Sequence, residues 1–340
     1  MKRLALALCL VLAAGACADD GTSPPTVTLL AHDFFAVSDD VLAEFTRTTG
    51  YEVDIVLGGD AGLMVNQAIL TAGNPVADVL FGIDTTFLTR AFEAELFEPY
   101  ASPRIGRVLP EVRVDPAHRV TPIDFGDVCV NYDVAAVGDP PRTLADLTDD
   151  RFAGELVVED PAVSSPGLAF LMATVATFGE EGDYTWRDYW ADLRDNDVRI
   201  APDWGTAYYG DFSGAGDGAR SLVVSYASSP PAEVLARGGG EAPTAILTDG
   251  CFRQVEYAGV LRGASEPEGA RRLIDFLLSR TFQEDVPLNM YVFPVHRDAD
   301  LPPVFAEHAV IPADPVLLDP DTIAANRERW VEEWESIVLR

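Results

Sequence analysis

The 340-residue sequence predicts an α/β protein folded as two lobes with a ligand cleft between them. Apolar, β-branched runs alternate with segments of helical period, the pattern of a parallel sheet covered by helices. About 320 residues remain once an N-terminal leader is set aside, more than one hydrophobic core usually supports. Polar and aromatic residues gather at the ends of the strand-like runs, where ligands sit in sheets of this kind.

The leader comes first. Met1-Lys2-Arg3 is basic, Leu4 to Ala14 is apolar, and Gly15-Ala16-Cys17 follows. Residues 1–16 read as a secretory signal, too short to span a bilayer. Cys17, directly after Ala14-Gly15-Ala16, resembles the cysteine of a bacterial lipobox and is then the lipidated first residue of the exported chain. Ordinary cleavage near Ala16 is the alternative. Residues 17–26 read as a polar tether. No later apolar run is long enough to cross a bilayer, so the lipid is the expected membrane attachment, on the outer face of the cell membrane. Lys2, the only lysine, leaves with the signal, and taking Lys2 and Arg3 from the formal charge of −31 leaves −33. Such a surface repels phosphates and excludes nucleic acid as a partner. Solubility or salt adaptation is the plainer explanation of the charge, ahead of attraction of a cationic ligand.

In order along the chain, Val27 to Ala31 is a buried-type strand ending at His32-Asp33-Phe34-Phe35. Ser38 opens a helix that stops at Gly50. Glu52 to Leu57 is a second strand ending at Gly58-Gly59-Asp60, with a helix after it to Gly73. Asp78 to Gly82 is a third, ending at Asp84-Thr85-Thr86, followed by a helix through Phe92. Val128 to Tyr132 is a strand, and Pro140-Pro141 marks a crossing into the second lobe. There, Glu155 to Glu159 is a strand and Leu168 to Phe178 an apolar helix, with Ser165 as its N-cap and Pro166 at the first position. Trp186/Trp190 and Trp330/Trp334 are i,i+4 pairs on amphipathic helices, the second running from Asp321 to Leu339, and face the core. Ser221 to Tyr226 is a strand, and Cys251 to Val260 is the strand returning to the first lobe. Pro267 to Leu278 is a helix, and Pro287 to Pro294 a loop presenting Tyr291. The expected lobes are residues 27–125 with 252–300, and 126–251. Residues 301–340 form a C-terminal helical segment packed on them.

Chemistry concentrates at a few positions. His32, Asp60 and Asp84 stand at carboxyl ends of strands, although helix capping is the plainer role for Asp84. Ser164 and Ser165, at a helix N-terminus, can hold a phosphate, a carboxylate or a polar ring edge. Val198 to Ile200 is a short strand that breaks at Pro202 into a loop holding Trp204. This tryptophan either caps the core or walls a ligand cleft. Cys129 and Cys251 are an even pair in an exported chain, either a disulfide or two separate buried thiols. The four histidines lack zinc spacing, and Gly210-Asp-Phe-Ser-Gly214 displaces the serine of a nucleophile elbow by one. Gly238-Gly239-Gly240 lacks the Lys-Ser/Thr of a phosphate-binding loop. Neither catalytic residues, a metal nor a cofactor is expected, and a solute-binding protein that closes over its ligand is the economical reading.

The order of these strand ends resembles the thiamine-binding solute receptors of bacterial ABC importers. The matching stretches include Asp33-Phe-Phe35, Gly59-Asp60, Ala77 through Asp84, Pro122 through Gly126, and Asp160-Pro161 with Ser164 through Leu168. They continue with Trp204, Ala207-Tyr208, Ser225-Tyr226, Ser229-Pro230, Gln254-Val-Glu256 and Pro287 through Val295. The resemblance implies a type 2 periplasmic-binding-protein fold, two α/β lobes joined by two crossover strands. It also implies thiamine or a thiamine phosphate in the cleft, permease and ATPase subunits as partners, and a monomer. Asp60 matches an acidic contact, Ser164 a hydroxyl contact, and Trp204 and Tyr226 aromatic contacts. Tyr291 stands where the family can have Trp, and His32 where it can have Tyr. Ala232 falls where another Tyr can occur, and a Trp shortly after the first strand has no counterpart. A thiazolium cation would face Trp204, Tyr226 and Tyr291, with Asp60 and Asp84 supplying negative charge and Ser164 and Ser165 taking a phosphate tail. The rival ligand is ferric iron, held by the adjacent Tyr208-Tyr209; a secreted hydrolase is a more distant alternative.

Overall fold

The computed structural model describes residues 24–340; the leader, Cys17 and most of the tether lie outside them. The first half begins with β1 (Thr26–Ala31), α1 (Asp39–Thr49), β2 (Glu52–Leu57), α2 (Ala61–Leu70), β3 (Val79–Asp84), α3 (Leu88–Glu93) and the short β4 (Phe97–Glu98). β2, β1 and β3 pair in parallel, as the strand–helix alternation requires. The long β5 (Thr121–Asp133) then crosses to the second half. That half holds β6 (Leu156–Glu159), α4 (Ser165–Phe178), α5 (Trp186–Asp195), β7 (Arg199–Ala201), β8 (Leu222–Tyr226) and α6 (Ser229–Ala236). β9 (Thr244–Leu261) returns, followed by α7 (Pro267–Leu277), α8 (Arg280–Asn289), β10 (Phe293–Pro294), α9 (Pro303–His308) and α10 (Pro320–Val338).

The strands form one hydrogen-bonded sheet in the order β2-β1-β3-β9-β5-β8-β6-β7, with β10 on β5 and β4 on β9. The crossing strands make it continuous, because the 13 residues of β5 and 18 of β9 are long enough to serve both halves. Their mutual register shifts between Val128 and Val130, where Leu247 and Phe252 are the flanking partners on β9. At that bulge Cys129 and Cys251 are joined as a disulfide, with a Cα–Cα distance of 4.5 Å.

Both tryptophan pairs lie in the core. Trp190 meets Trp334 edge-on at 5.6 Å, and its indole N–H donates to Thr174. α10 thereby packs on α5, and it also reaches α3, with Arg327 over the ring of Phe87 at 4.7 Å. The C-terminal segment therefore contacts both halves. No helix among the described residues is long and apolar enough to cross a membrane.

Three local expectations need correction. The N-cap of α4 is Ser164, not Ser165, and neither serine makes a side-chain cap bond. Trp204 begins a helical turn continued by a π-helical segment, Thr206–Asp211, instead of lying in an open loop. The stretch from Pro287 is not all loop, since α8 runs through that proline to Asn289.

Candidate functional site

A cleft opens between the two halves, with about 770 Å³ of space counting its solvent-open mouth. From the first half, His32 and Phe34 follow β1, and Asp60 and Ala61 begin α2. From the second, Ser165 and Pro166 begin α4, Trp204, Tyr208 and Tyr209 follow β7, Tyr226 ends β8, and Ser229 begins α6. Glu256 comes from the middle of β9, and Met290, Tyr291 and Val292 follow α8. Six of the eight residues expected from the sequence thus line the cleft: His32, Asp60, Ser165, Trp204, Tyr226 and Tyr291.

Trp204 is held from several sides. Its ring stacks on Tyr208 at 4.9 Å and 13°, meets Phe34 edge-on at 4.7 Å, and donates its indole N–H to Ser225 Oγ at 3.1 Å. Ser225 in turn contacts Ser229 Oγ at 3.0 Å. Tyr208 is therefore a buried support beneath Trp204. Its hydroxyl donates to Glu233, and burial, with that carboxylate beside it, pushes the phenol well above its usual range. Tyr226 receives a hydrogen bond from Gln254 at 3.2 Å. A side chain at Gly126 would lie 2.8 Å from the Tyr226 ring, so this glycine makes room for it. Tyr291 has φ of 56°, a left-handed conformation that a non-glycine residue adopts at a cost, and one common at functional sites.

The first half supplies acids. Asp60 caps α2 by accepting from Ala61 N at 2.7 Å, while its second carboxylate oxygen has no protein partner. Burial raises its pKa, against the Ala61 N–H and the nearby Ser164 hydroxyl. Glu256 contacts His32 Nε2 at 3.3 Å, and Phe34 N–H donates to Nδ1 at 3.2 Å. An Nδ1 that accepts is unprotonated, so both ring nitrogens are engaged in the neutral form. Burial works to lower the His32 pKa, but Glu256, with Asp60 and Asp84, outweighs it and the net direction is upward. Gly82 lies beneath this imidazole with φ of 86°, and a Cβ there would sit 2.2 Å from the ring.

Asp84 and Ser164 do not line the cleft. Asp84 is fully buried and accepts from Thr86 N and Oγ1, both at 2.6 Å, and from Ser165 Oγ. The local capping role dominates, with an added bond across the two halves. Burial pushes its carboxyl from 3.8 up to about 6, against the hydroxyl donors Ser165 and Thr86. The native state thus keeps a proton that the unfolded chain releases, and stability from this group falls as pH rises from about 4 to 6. Asp84→Asn is expected to remove that part of the slope, measured by urea unfolding across this range; an unchanged slope contradicts the assignment. The Ser164 hydroxyl is buried without a partner, behind Asp60.

The sequence reading missed Glu256 as a site residue because it lies within a long antiparallel strand and not at a strand end. Its cross-strand neighbours are Asp84 on β3 and Asp124 on β5, so three carboxylates occupy one rung of the sheet. Asp124 is fully buried with neither oxygen partnered, and burial together with Glu256 raises it well above the ordinary range.

Residues 74–326 match the family model described as bacterial extracellular solute-binding protein. The chain belongs to that family. Among its relatives, the thiamine-binding periplasmic protein of Salmonella typhimurium (strain LT2) is 27% identical over 331 residues, 95% of this chain and 97% of that protein. A solved periplasmic thiamin binding protein superposes with a TM-score of 0.83 at 26% identity, covering 93% of this chain and 97% of its own. Iron-bound HitA from Pseudomonas aeruginosa superposes with a TM-score of 0.75 at 20% identity, over 92% of this chain and 99% of its own, a likeness of fold alone. The family's members are extracellular solute-binding proteins, and the fold is the type 2 periplasmic-binding-protein fold expected from the sequence.

Proposed function

We propose that this chain is a receptor that captures thiamine in the cleft and delivers it to the permease and ATPase subunits of an importer. The observation that carries the reading is the composition of the cleft: Trp204, Tyr226 and Tyr291 with the carboxylates of Asp60 and Glu256, and no arginine or lysine among its lining residues. Aromatic faces attract a thiazolium cation, and acids beside them add to that attraction. The relatives named for thiamine binding support the same ligand. The two halves act as lobes that close over it, and the register shift at Cys129 and Cys251 supports a hinge there, close to the lobe limits 27–125 with 252–300 and 126–251. Lipidation at Cys17 would tether the receptor to the outer face of the membrane. We assign it no catalytic step.

Ferric iron on Tyr208 and Tyr209 is the competing reading. It is disfavoured by the Tyr208 hydroxyl, which is buried and bonded to Glu233, so it would have to leave both that contact and its stack under Trp204 to bind a metal. Among the described residues, no group of three or more His, Cys, Asp or Glu is placed to hold a metal ion. Mass spectrometry of ligand carried by unrefolded protein, followed by calorimetric titration, tests the assignment. Thiamine binding is the expected result; a phenolate-to-iron absorption band without thiamine binding reverses it.

A further inference from the structure

We infer that the exposed, uncharged face of α2 and the loop after it lies against the lipid surface to which the chain is anchored. This rests on the lipidation of Cys17 proposed above and is independent of the ligand. From Ala61 to Ala77 no residue carries a charged side chain, in a chain where 23% of residues do. A second uncharged run forms α4, which is buried from Ser165 to Val175, as apolar sequence ordinarily is. α2 differs. Its inward side is Ala61, Gly62, Met64, Val65 and Ala68, and its outward row is Leu63, Gln67 and Leu70 at helical spacing. Leu63 is 51% exposed, Leu70 86%, and Val76 in the loop beyond 49%. The outward side of a surface helix normally carries charge. Here it carries leucine.

The far end of this face is where the chain enters the fold. β1 and β3 are parallel neighbours with Leu29 opposite Val79. Asp78 N–H donates to Thr28 O at 2.8 Å, and Thr28 N–H donates to the Asp78 carboxylate at 2.9 Å. Three residues before Leu29 and Val79, Thr26 and Val76 therefore share one edge of the sheet. Cys17 precedes Thr26 by nine residues (26 − 17), a reach of at most about 32 Å when fully extended. A lipid on Cys17 thus holds this edge near the bilayer, and α2 leads from it to the cleft, where Asp60 and Ala61 stand. Charge decides which side turns towards the lipid. The formal charge is −31, or −33 without Lys2 and Arg3, so anionic headgroups repel most of the surface. An uncharged face approaches them at least cost, and burying its leucines adds apolar contact. Because the anchor already supplies a high local concentration, modest contact suffices.

The test uses the full exported chain, purified from membranes and reconstituted in vesicles of phosphatidylcholine and phosphatidylglycerol, with mass spectrometry of the N-terminal peptide reporting the lipid on Cys17. With Cys129 and Cys251 bridged, an introduced cysteine is the one free thiol among the described residues. Leu70→Cys, Val76→Cys and, for reference, Leu317→Cys, at a position 70% exposed between α9 and α10, each carry an environment-sensitive fluorophore. Circular dichroism checks that each variant folds. Labels at 70 and 76 are expected to shift to the blue and lose most of their quenching by iodide, while the label at 317 keeps both its emission and its quenching. A lipidated chain whose labels at 70 and 76 stay in water, or whose three labels shift alike, overturns the inference and leaves the anchor in place. A shift at 70 and 76 that appears only with the permease in the vesicles also overturns it, assigning the face to a protein partner. An N-terminus without lipid overturns both the inference and the anchor.

Discussion

Trp204→Ala weakens thiamine binding by about 1–3 kcal/mol, the expected loss when an aromatic platform for a cation is removed. That corresponds to roughly 5- to 150-fold in dissociation constant. The effect is expected in affinity and not in folding, because Trp204 stands at the cleft with its ring supported from beneath by Tyr208 and pinned at its indole N–H by Ser225. The alanine variant should retain the parent's far-ultraviolet dichroism. Calorimetry of the two proteins decides the matter: equal affinity removes Trp204 from the site. Ser225→Ala supplies a milder version, since it deletes only the hydroxyl that fixes the indole, a contact worth about 0.5–1.5 kcal/mol.

Replacing both Cys129 and Cys251 by alanine is expected to give the largest loss of stability among these changes. The bridge spans 122 residues of sequence, and restricting a loop of that length in the unfolded chain is nominally worth about 5 kcal/mol. Both cysteines are buried between the crossing strands, packed with Ala227 and Ile246, so the replacement also loosens the packing there. A urea titration of oxidised parent and double variant reads the difference. An unchanged midpoint would mean that the bridge does not form in solution, a result that free-thiol counting on denatured protein would establish independently.

Much of the architecture was legible because parallel strands and their helices write strong local patterns. Val27 to Ala31 is a short, largely apolar run, Glu52 to Leu57 carries β-branched residues between its acids, and β1 and β2 follow them closely. The tryptophan pairs at i,i+4 also marked buried helix faces faithfully, since all four rings lie in the core. What escaped was set by contacts distant in sequence. Glu256 belongs to the cleft only because β9 runs beside β3 and β5, a placement that no local pattern records. Asp84 looked better suited to cap than to bind, and it stays out of the lining because Thr86 and Ser165 both turn towards it. The helical turn after Trp204 was hidden by Gly205 and Gly210, poor helix formers that the neighbouring β7 and β8 hold in place. α6 was hidden in the same manner by its opening prolines, which suit a helix start as well as a turn.

The disulfide has a consequence for binding as well as for stability. It joins β5 and β9 where their register changes, so the two strands can bend there together but cannot slide past one another. An open receptor so restrained samples fewer shapes, and closing over a ligand then loses less conformational entropy. The oxidised protein should therefore hold its ligand more tightly than the reduced one even though neither sulfur lines the cleft. In that sense the redox state of the surrounding compartment is written into the affinity of a site it does not touch.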